Sequence, residues 1–295
     1  MPSLPYVTTN DGFQICVEDE NHEDIEAYVL EELRRRLHIP AQGSKKNDDL
    51  KDLRTDIASK ASGVFLWVTL VVDLVVRQYN KGKPLKTIRQ ALQRVPPLLN
   101  DIFKHILLEL VDPEERIQSL HLMQWICLAE RPLSLTELRF AMASDDSSTQ
   151  PSQYSCQDSE GFIEDNDQMR KRIVSLSGGL AEVKHRHDEY TVQFIHQSVN
   201  DFLAAAGFRH LDPTSTEDLI GLGHHRLSRS CINYLKLGEV LREDRIWDVS
   251  IIHELPFIKY ATKSWFFHAE KAESRGISQQ ELVQQFKFPR QVFET

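Results

Sequence analysis

The segment Ala61-Ser62-Gly63-Val64-Phe65-Leu66-Trp67-Val68 decides how this chain is read, because two helices of different character meet at it. The helix before it carries Leu50, Leu53, Ile57 and Ala61 at three- and four-residue steps, a single apolar stripe behind the capping acids Asp48 and Asp49. Ser62-Gly63 then interrupts the chain. From Val64 to Val76 only Thr69 and Asp73 are polar, and a helix that is apolar all round must be buried on most sides. At about 1.5 Å per residue this run reaches roughly 20 Å, short of the ~20 residues a membrane span needs. Lys60 and Arg77 also flank it closely. The expectation is a core helix in a mainly α protein that has no membrane partner.

Composition sets the outer bounds. The chain has 295 residues, 41 % of them apolar and 27 % charged, which gives room for two or three packed units of ordinary globular make-up. A net charge of -9 works against general binding to phosphate backbones, which Lys and Arg drive by displacing counterions. Cys16, Cys127, Cys156 and Cys231 show no Cys-x-x-Cys spacing and follow no signal peptide. Reduced thiols in a cytoplasmic or nuclear setting are therefore expected, with cytoplasm preferred.

In chain order, Phe13-Gln14-Ile15-Cys16-Val17 alternates as a short strand would, and Asn21 can cap a helix with Ile25, Val29, Leu33 and Leu37 on one face. Arg34-Arg35-Arg36 lies at the end of that helix. Because Glu23, Glu26, Glu31 and Glu32 share the helix, a solvated helix end is favoured over a nucleic-acid patch. Residues 40–47 read as a polar linker. Gly43-Ser44-Lys45 fails the phosphate-loop pattern, since His38 stands where the first glycine belongs and Ser44 where the lysine belongs. Leu85, Ile88 and Leu92 mark a short helix ending before Pro96-Pro97. Leu98, Leu99, Ile102, Phe103, Ile106, Leu107 and Leu110 mark the next one.

Beyond Pro113, residues 114–128 are helical, and Ser134-Leu135-Thr136-Glu137 is a capping box that opens a second helix. Residues 144–167 are acidic and poor in apolar side chains, and are expected to form a flexible insertion. A third helix over residues 168–176 ends at Gly178-Gly179. Two strand-like runs follow, with Tyr190, Val192 and Phe194 on the inner face. Three helices and then a β-hairpin is the layout of a winged helix. A further helix covers residues 198–206, and after Pro213 the chain is helical, with Leu227, Cys231, Tyr234 and Leu235 on one face. Trp247, Pro256, Phe257, Tyr260, Trp265 and Phe266 are expected as a final aromatic cluster. No period of roughly 30 to 45 residues marks a repeat array.

The stretch Phe194-Ile195-His196-Gln197-Ser198-Val199-Asn200-Asp201-Phe202-Leu203-Ala204-Ala205 resembles the Phe-x-His-x-Ser-x-x-Asp/Glu-Phe-x-Ala-Ala motif of winged-helix domains in NACHT-type signalling NTPases. Other stretches resemble fungal members in particular and occur in family order. These are Ile15-Cys16-Val17-Glu18-Asp19, Ser62-Gly63-Val64-Phe65-Leu66-Trp67-Val68, Arg131-Pro132-Leu133-Ser134-Leu135-Thr136-Glu137, and the late Pro256-Phe257-Ile258-Lys259-Tyr260-Ala261. The resemblance implies a mainly α fold in four parts: residues 1–45 as the end of an NTPase domain, 46–111 as a four-helix domain, 112–206 as a winged-helix domain with the insertion 144–167, and 207–295 as a C-terminal helical region. In the family, an upstream α/β domain holds the nucleotide, and the helical and winged-helix parts clamp ADP in a closed state. The resemblance therefore implies the clamp without the phosphate loop, a reading that includes a truncated gene product. It also makes His196 a vestigial contact to the β-phosphate. The family's Gly-x-Pro turn has no counterpart, because Gly63-Val64-Phe65 lacks the proline.

From the residues alone, His196 is a histidine at a strand-to-helix junction, bonded to nearby backbone. One histidine cannot replace a cradle of backbone N–H groups and a lysine, so the chain by itself is expected to hold no nucleotide and no other cofactor. His185, His187, His224 and His225 have no acid or cysteine at metal spacing and are read as exposed. No Gly-x-Ser-x-Gly, His-Glu-x-x-His or Cys-His pair points to an enzyme. The leading expectation is a non-enzymatic regulatory and interaction module with protein partners, through self-association or through NACHT- or repeat-containing proteins. Two alternatives stand beside it. One is a winged-helix DNA-binding regulator reading through residues 134–143, although Arg139 is the only base there and Glu137 opposes it. The other is a nucleotide-dependent switch whose NTPase domain lies on a partner chain.

Overall fold

The computed structural model describes residues 21–39, 45–145, 155–159, 161–186, 189–241 and 251–285. The strand expected at 13–17, Gly43-Ser44, the middle of the insertion and Trp247 lie outside them. The chain divides into two compact units, Met1–Ile102 and Phe103–Thr295, and its described residues are mainly helical, with one two-stranded sheet.

The first unit is built from α1 (His22–Leu37), α2 (Lys45–Ala61), α3 (Phe65–Asn80) and α4 (Leu85–Leu92). Ile25, Val29, Leu33 and Leu37 of α1 are all buried, as their spacing requires. Asn21 precedes the helix without a side-chain capping bond, and α1 closes on His38 in the left-handed region. Asp48, expected as a cap, lies instead inside the first turn of α2, where its charge still offsets the helix dipole. Between α2 and α3, Ser62 (φ 46°) and Gly63 (φ 76°) are both left-handed, which reverses the chain within two residues. Eight residues of α3 are buried, from Trp67 to Val76, and the Trp67 Nε1–H donates to Pro96 O at 2.7 Å. No helix among the described residues is long and apolar enough to cross a membrane.

Charged side chains stitch this unit together. Lys60 Nζ donates to three carbonyls at the end of α4, Leu92 (2.9 Å), Gln93 (2.9 Å) and Val95 (3.0 Å), placing a cation on the negative end of that helix. Arg36 pairs with Asp73 of α3, and Arg35 with Glu32 at 2.8 Å, so two of the three consecutive arginines are engaged within the unit. The Tyr28 and Phe65 rings meet at 5.1 Å. Helix α1, expected to close a separate preceding domain, thus packs on α2 and α3 inside the first unit.

Helix α5 (Leu99–Glu109) carries the chain into the second unit. Phe103, Ile106 and Leu107 are buried, while Leu98 is 66 % exposed just ahead of it. After a 3-10 turn capped by Asp112 come α6 (Arg116–Leu128), α7 (Leu135–Ala143) and α8 (Asn166–Leu176). The capping box of α7 is formed: Glu137 N–H donates to Ser134 Oγ (3.1 Å) and Ser134 N–H to Glu137 Oε2 (2.8 Å). Helix α8 ends at Gly178 (φ 62°) and Gly179 (φ 93°). A Cβ on Gly178 would lie 2.6 Å from Ile106 Cγ2, so both its dihedral and its contact with α5 call for glycine.

Strands β1 (Ala181–Arg186) and β2 (Glu189–Phe194) pair antiparallel, with Val183 opposite Val192. Val192 N–H also donates to Leu133 O at 3.1 Å, so the segment ahead of α7 adds a short rung to the hairpin. Val192 and Phe194 face inward. Tyr190, expected beside them, is 46 % exposed near the hairpin tip, with its ring under Arg170 (4.1 Å) and beside His185 (4.8 Å). Helices α9 (Gln197–Ala205), α10 (Leu219–Leu235), α11 (Ile251–Glu254), α12 (Ile258–Glu273) and α13 (Gln280–Gln285) complete the unit.

Two expectations need correction here. The insertion is packed over part of its length: Cys156 is buried against Ser144 Oγ (3.2 Å), and the Phe162 ring sits on Phe140 at 5.3 Å. A few well-placed side chains anchor a segment whose average composition is polar. The aromatic cluster also has a different membership. Phe266 is 62 % exposed, and Phe257 and Tyr260 of the α12 region pack instead with Trp125 of α6 and Tyr234 of α10.

Candidate functional site

The end of β2 and the start of α9 bring His196, Ser198, Asp201 and Phe202 together. His196 is the N-cap of α9, extended in backbone (φ -157°) and exposed. Its Nδ1 accepts the Ser198 N–H at 3.1 Å and lies 2.9 Å from Ser198 Oγ. Because Nδ1 accepts a backbone proton, the neutral ring must carry its own proton on Nε2. The junction therefore offers one N–H donor at the positive end of a nine-residue helix, a setting that favours an anion. The remaining motif residues have local roles. Gln197 Nε2 donates to Asp201 at 3.0 Å, and Phe202 packs on Phe103 (5.6 Å) and His210 (5.9 Å).

The helix that the DNA-binding alternative would place in a groove has its polar groups committed elsewhere. Arg139 donates to Ile163 O (2.8 Å), Glu164 O and Asn166 Oδ1 (3.3 Å), and its guanidinium covers the Phe162 ring. Glu137 is held by the capping box and by Arg131, at 2.5 and 2.8 Å. The helix directly before the hairpin is α8. Its Arg170 lies over Tyr190, and its Arg172 pairs with Glu115 at 2.5 Å.

One cluster escaped sequence reasoning. His224, expected to be exposed at a helix start, is buried, and its Nδ1 lies 3.0 Å from Nδ1 of His268; His268 Nε2 is 2.8 Å from the Tyr260 hydroxyl. That hydroxyl accepts the Glu130 N–H at 3.0 Å. The proton order follows from the fixed donor: Tyr260 O–H donates to His268 Nε2, and His268 Nδ1–H donates to His224 Nδ1. Each histidine is thereby held neutral. Burial pushes His268 down to about 3, helped by neighbouring His224, and pushes His224 down to about 4, helped by Arg275 and Lys271. The two lie 44 residues apart, so no local pattern pairs them. The chain ties α10 and α12 to the turn after α6, and Ser264 Oγ adds a bond to Glu130 at 2.7 Å.

Among the described residues no three His, Cys, Asp or Glu side chains converge to hold a metal. A cavity of about 710 Å³ opens at the base of α7, where Arg131 and Glu137 neutralise each other. His196 is not among its lining residues.

The second unit thus defines a class: a mainly α protein in which three helices precede a β-hairpin and a histidine-capped helix. A family profile described as "Domain of unknown function (DUF7791)" matches residues 102–211, so it contains α6 to α9 and His196. The chain is 26 % identical over 184 residues to the vegetative incompatibility protein HET-E-1 of Podospora anserina. That alignment covers 62 % of this chain and 12 % of the fungal protein, so the chain spans a small part of that relative's length. No solved structure matches it.

Proposed function

We propose that this chain is a non-enzymatic regulatory and interaction module, the helical and winged-helix arm of a fungal NACHT-type signalling protein, acting in the cytoplasm. The similarity to a fungal vegetative incompatibility protein supports the signalling part of this reading. The order of three helices, hairpin and capped helix supports the winged-helix part.

The observation that carries the proposal is His196. It stands exposed at the strand-to-helix junction with Nδ1 engaged, leaving Nε2–H free to donate to a phosphate held by another domain. In this reading His196 contacts nucleotide held by a NACHT-type NTPase domain, of the same protein or of a partner. The DNA-binding alternative receives less support, because Arg139 is bound to the insertion's own backbone.

Release of labelled ADP from a NACHT-type NTPase domain, with and without this chain, tests the reading. The chain is expected to slow release, His196→Ala is expected to remove that effect, and the chain alone is expected to hydrolyse no ATP. Unchanged release, or ATP hydrolysis by the chain alone, would contradict it.

A further inference from the structure

A second cavity, about 560 Å³ in volume, lies among α6, α7, α8 and α10, and no residue of the His196 junction lines it. Its walls carry four guanidinium groups, from Arg139, Arg172, Arg226 and Arg229. In a chain with a net charge of -9 this is an unusual concentration of positive charge.

Among the described residues, direct ion pairs do not match these groups one for one. Arg172 is matched by Glu115 at 2.5 Å. Arg226 (3.7 Å) and Arg229 (3.5 Å) share a single acid, Asp145, which is 2 % exposed and also in contact with His121 Nδ1. Arg139 binds only carbonyl oxygens, which carry no net charge. Among the described residues, direct ion pairs thus bring two carboxylates to three of the four guanidinium groups, with Asp165 and Asp212 acting at longer range on Arg139 and Arg226. Further donor capacity is unspent. Arg229 Nε is buried without a hydrogen-bond partner among the described residues, an arrangement that costs free energy unless something else accepts the proton. Burial lowers the pKa of Arg226, opposed by Asp145 and Asp212 and reinforced by Arg229, and burial also lowers that of Arg139, opposed by Asp165. Both directions mark cations withdrawn from water. The floor is apolar, from Met142, Ile163, Met169 and Leu176, and this strengthens any ion pairing above it.

We propose that this cavity is a binding site for a small phosphate dianion, free or carried as a monoester. Planar guanidinium groups match phosphate oxygens, and although Gln124 takes one N–H of Arg226, Asp145 does not saturate the donors that remain, Arg229 Nε among them. Asp145 then serves to hold the two arginines in place when no anion is bound. Ser230 Oγ (3.3 Å to Asp145) and Asn233 Nδ2 (3.0 Å to Ser144 O) fix the acid and its backbone from behind.

Titration calorimetry of the full chain with inorganic phosphate and with glycerol 2-phosphate, against sodium chloride of equal ionic strength, tests this. One site per chain is expected for at least one probe, and the ratio of the two affinities separates a free anion from an ester. Arg229→Gln is expected to weaken binding tenfold or more, since it removes a charge-assisted pair, while Arg170→Gln, outside the cavity, is expected to leave it unchanged. The wild-type protein alone supplies a second readout, because phosphate should raise its unfolding midpoint beyond the effect of chloride. No saturable heat with either probe and no midpoint rise beyond chloride would overturn the proposal, and so would equal affinity in Arg229→Gln.

Discussion

Lowering the pH should loosen the second unit through the His224–His268–Tyr260 chain. In the folded protein each histidine is held neutral by burial and by the one-way order of its hydrogen bonds. Their folded pKa values, about 4 and about 3, lie below the ordinary 6.5 of an unfolded histidine. The unfolded chain therefore binds protons first, and the stabilisation, complete above pH 6.5, falls as pH drops through 6.5 and continues falling to the folded values. By about pH 5 each histidine has removed roughly 2 kcal/mol, or about 4 kcal/mol for the pair. His210 and His225, also lowered chiefly by burial, act in the same direction. A loss of this size is a large fraction of the roughly 5–15 kcal/mol typical of folded domains. Urea unfolding followed by tryptophan fluorescence reads it well, because the Trp125 ring meets the His268 ring edge to face at 6.4 Å. The wild type should lose most of its midpoint between neutral pH and about pH 5, and a His224→Asn/His268→Gln variant should lose much less. Equal pH dependence in the two proteins would refute the argument from the buried pair.

Two further outcomes are expected. Gly178→Ala places a methyl group 2.6 Å from Ile106 Cγ2 and forces an L residue to φ 62°, so thermal unfolding should show a loss of about 1–3 kcal/mol, against almost none for Gly161→Ala, where a Cβ meets nothing. Burial pushes the Cys127 and Cys156 thiols up to about 12 and raises Cys231 as well, so all three should resist a thiol reagent at neutral pH and react once the protein is unfolded in urea.

The helices were legible wherever packing repeats at the helical period. Ile25, Val29, Leu33 and Leu37 announce α1, Leu85, Ile88 and Leu92 announce α4, and the Ser134–Glu137 box announces α7 at its first residue. The junction at His196 was legible too, because the alternation of β2 stops where α9 begins. What stayed hidden depends on contacts across the fold. Asp145 meets Arg229 and Ser230 across 84 and 85 residues, and His224 meets His268 across 44, so neither partner leaves a mark near the other in sequence. Tyr190 keeps the strand's alternation but sits too close to the hairpin tip to reach the core. Phe162 and Cys156 anchor a polar segment that averages over composition make look unanchored.

The central claim is that His196 completes the nucleotide site of a NACHT-type NTPase domain. Its most direct test is the affinity of this chain for a NACHT-type NTPase domain loaded with ADP and, separately, with a non-hydrolysable ATP analogue. We expect binding at least about tenfold tighter to the ADP form, a preference of roughly 1.4 kcal/mol, reduced to near parity by His196→Ala. Equal affinity for the two forms, or a preference that survives loss of His196, would contradict the claim.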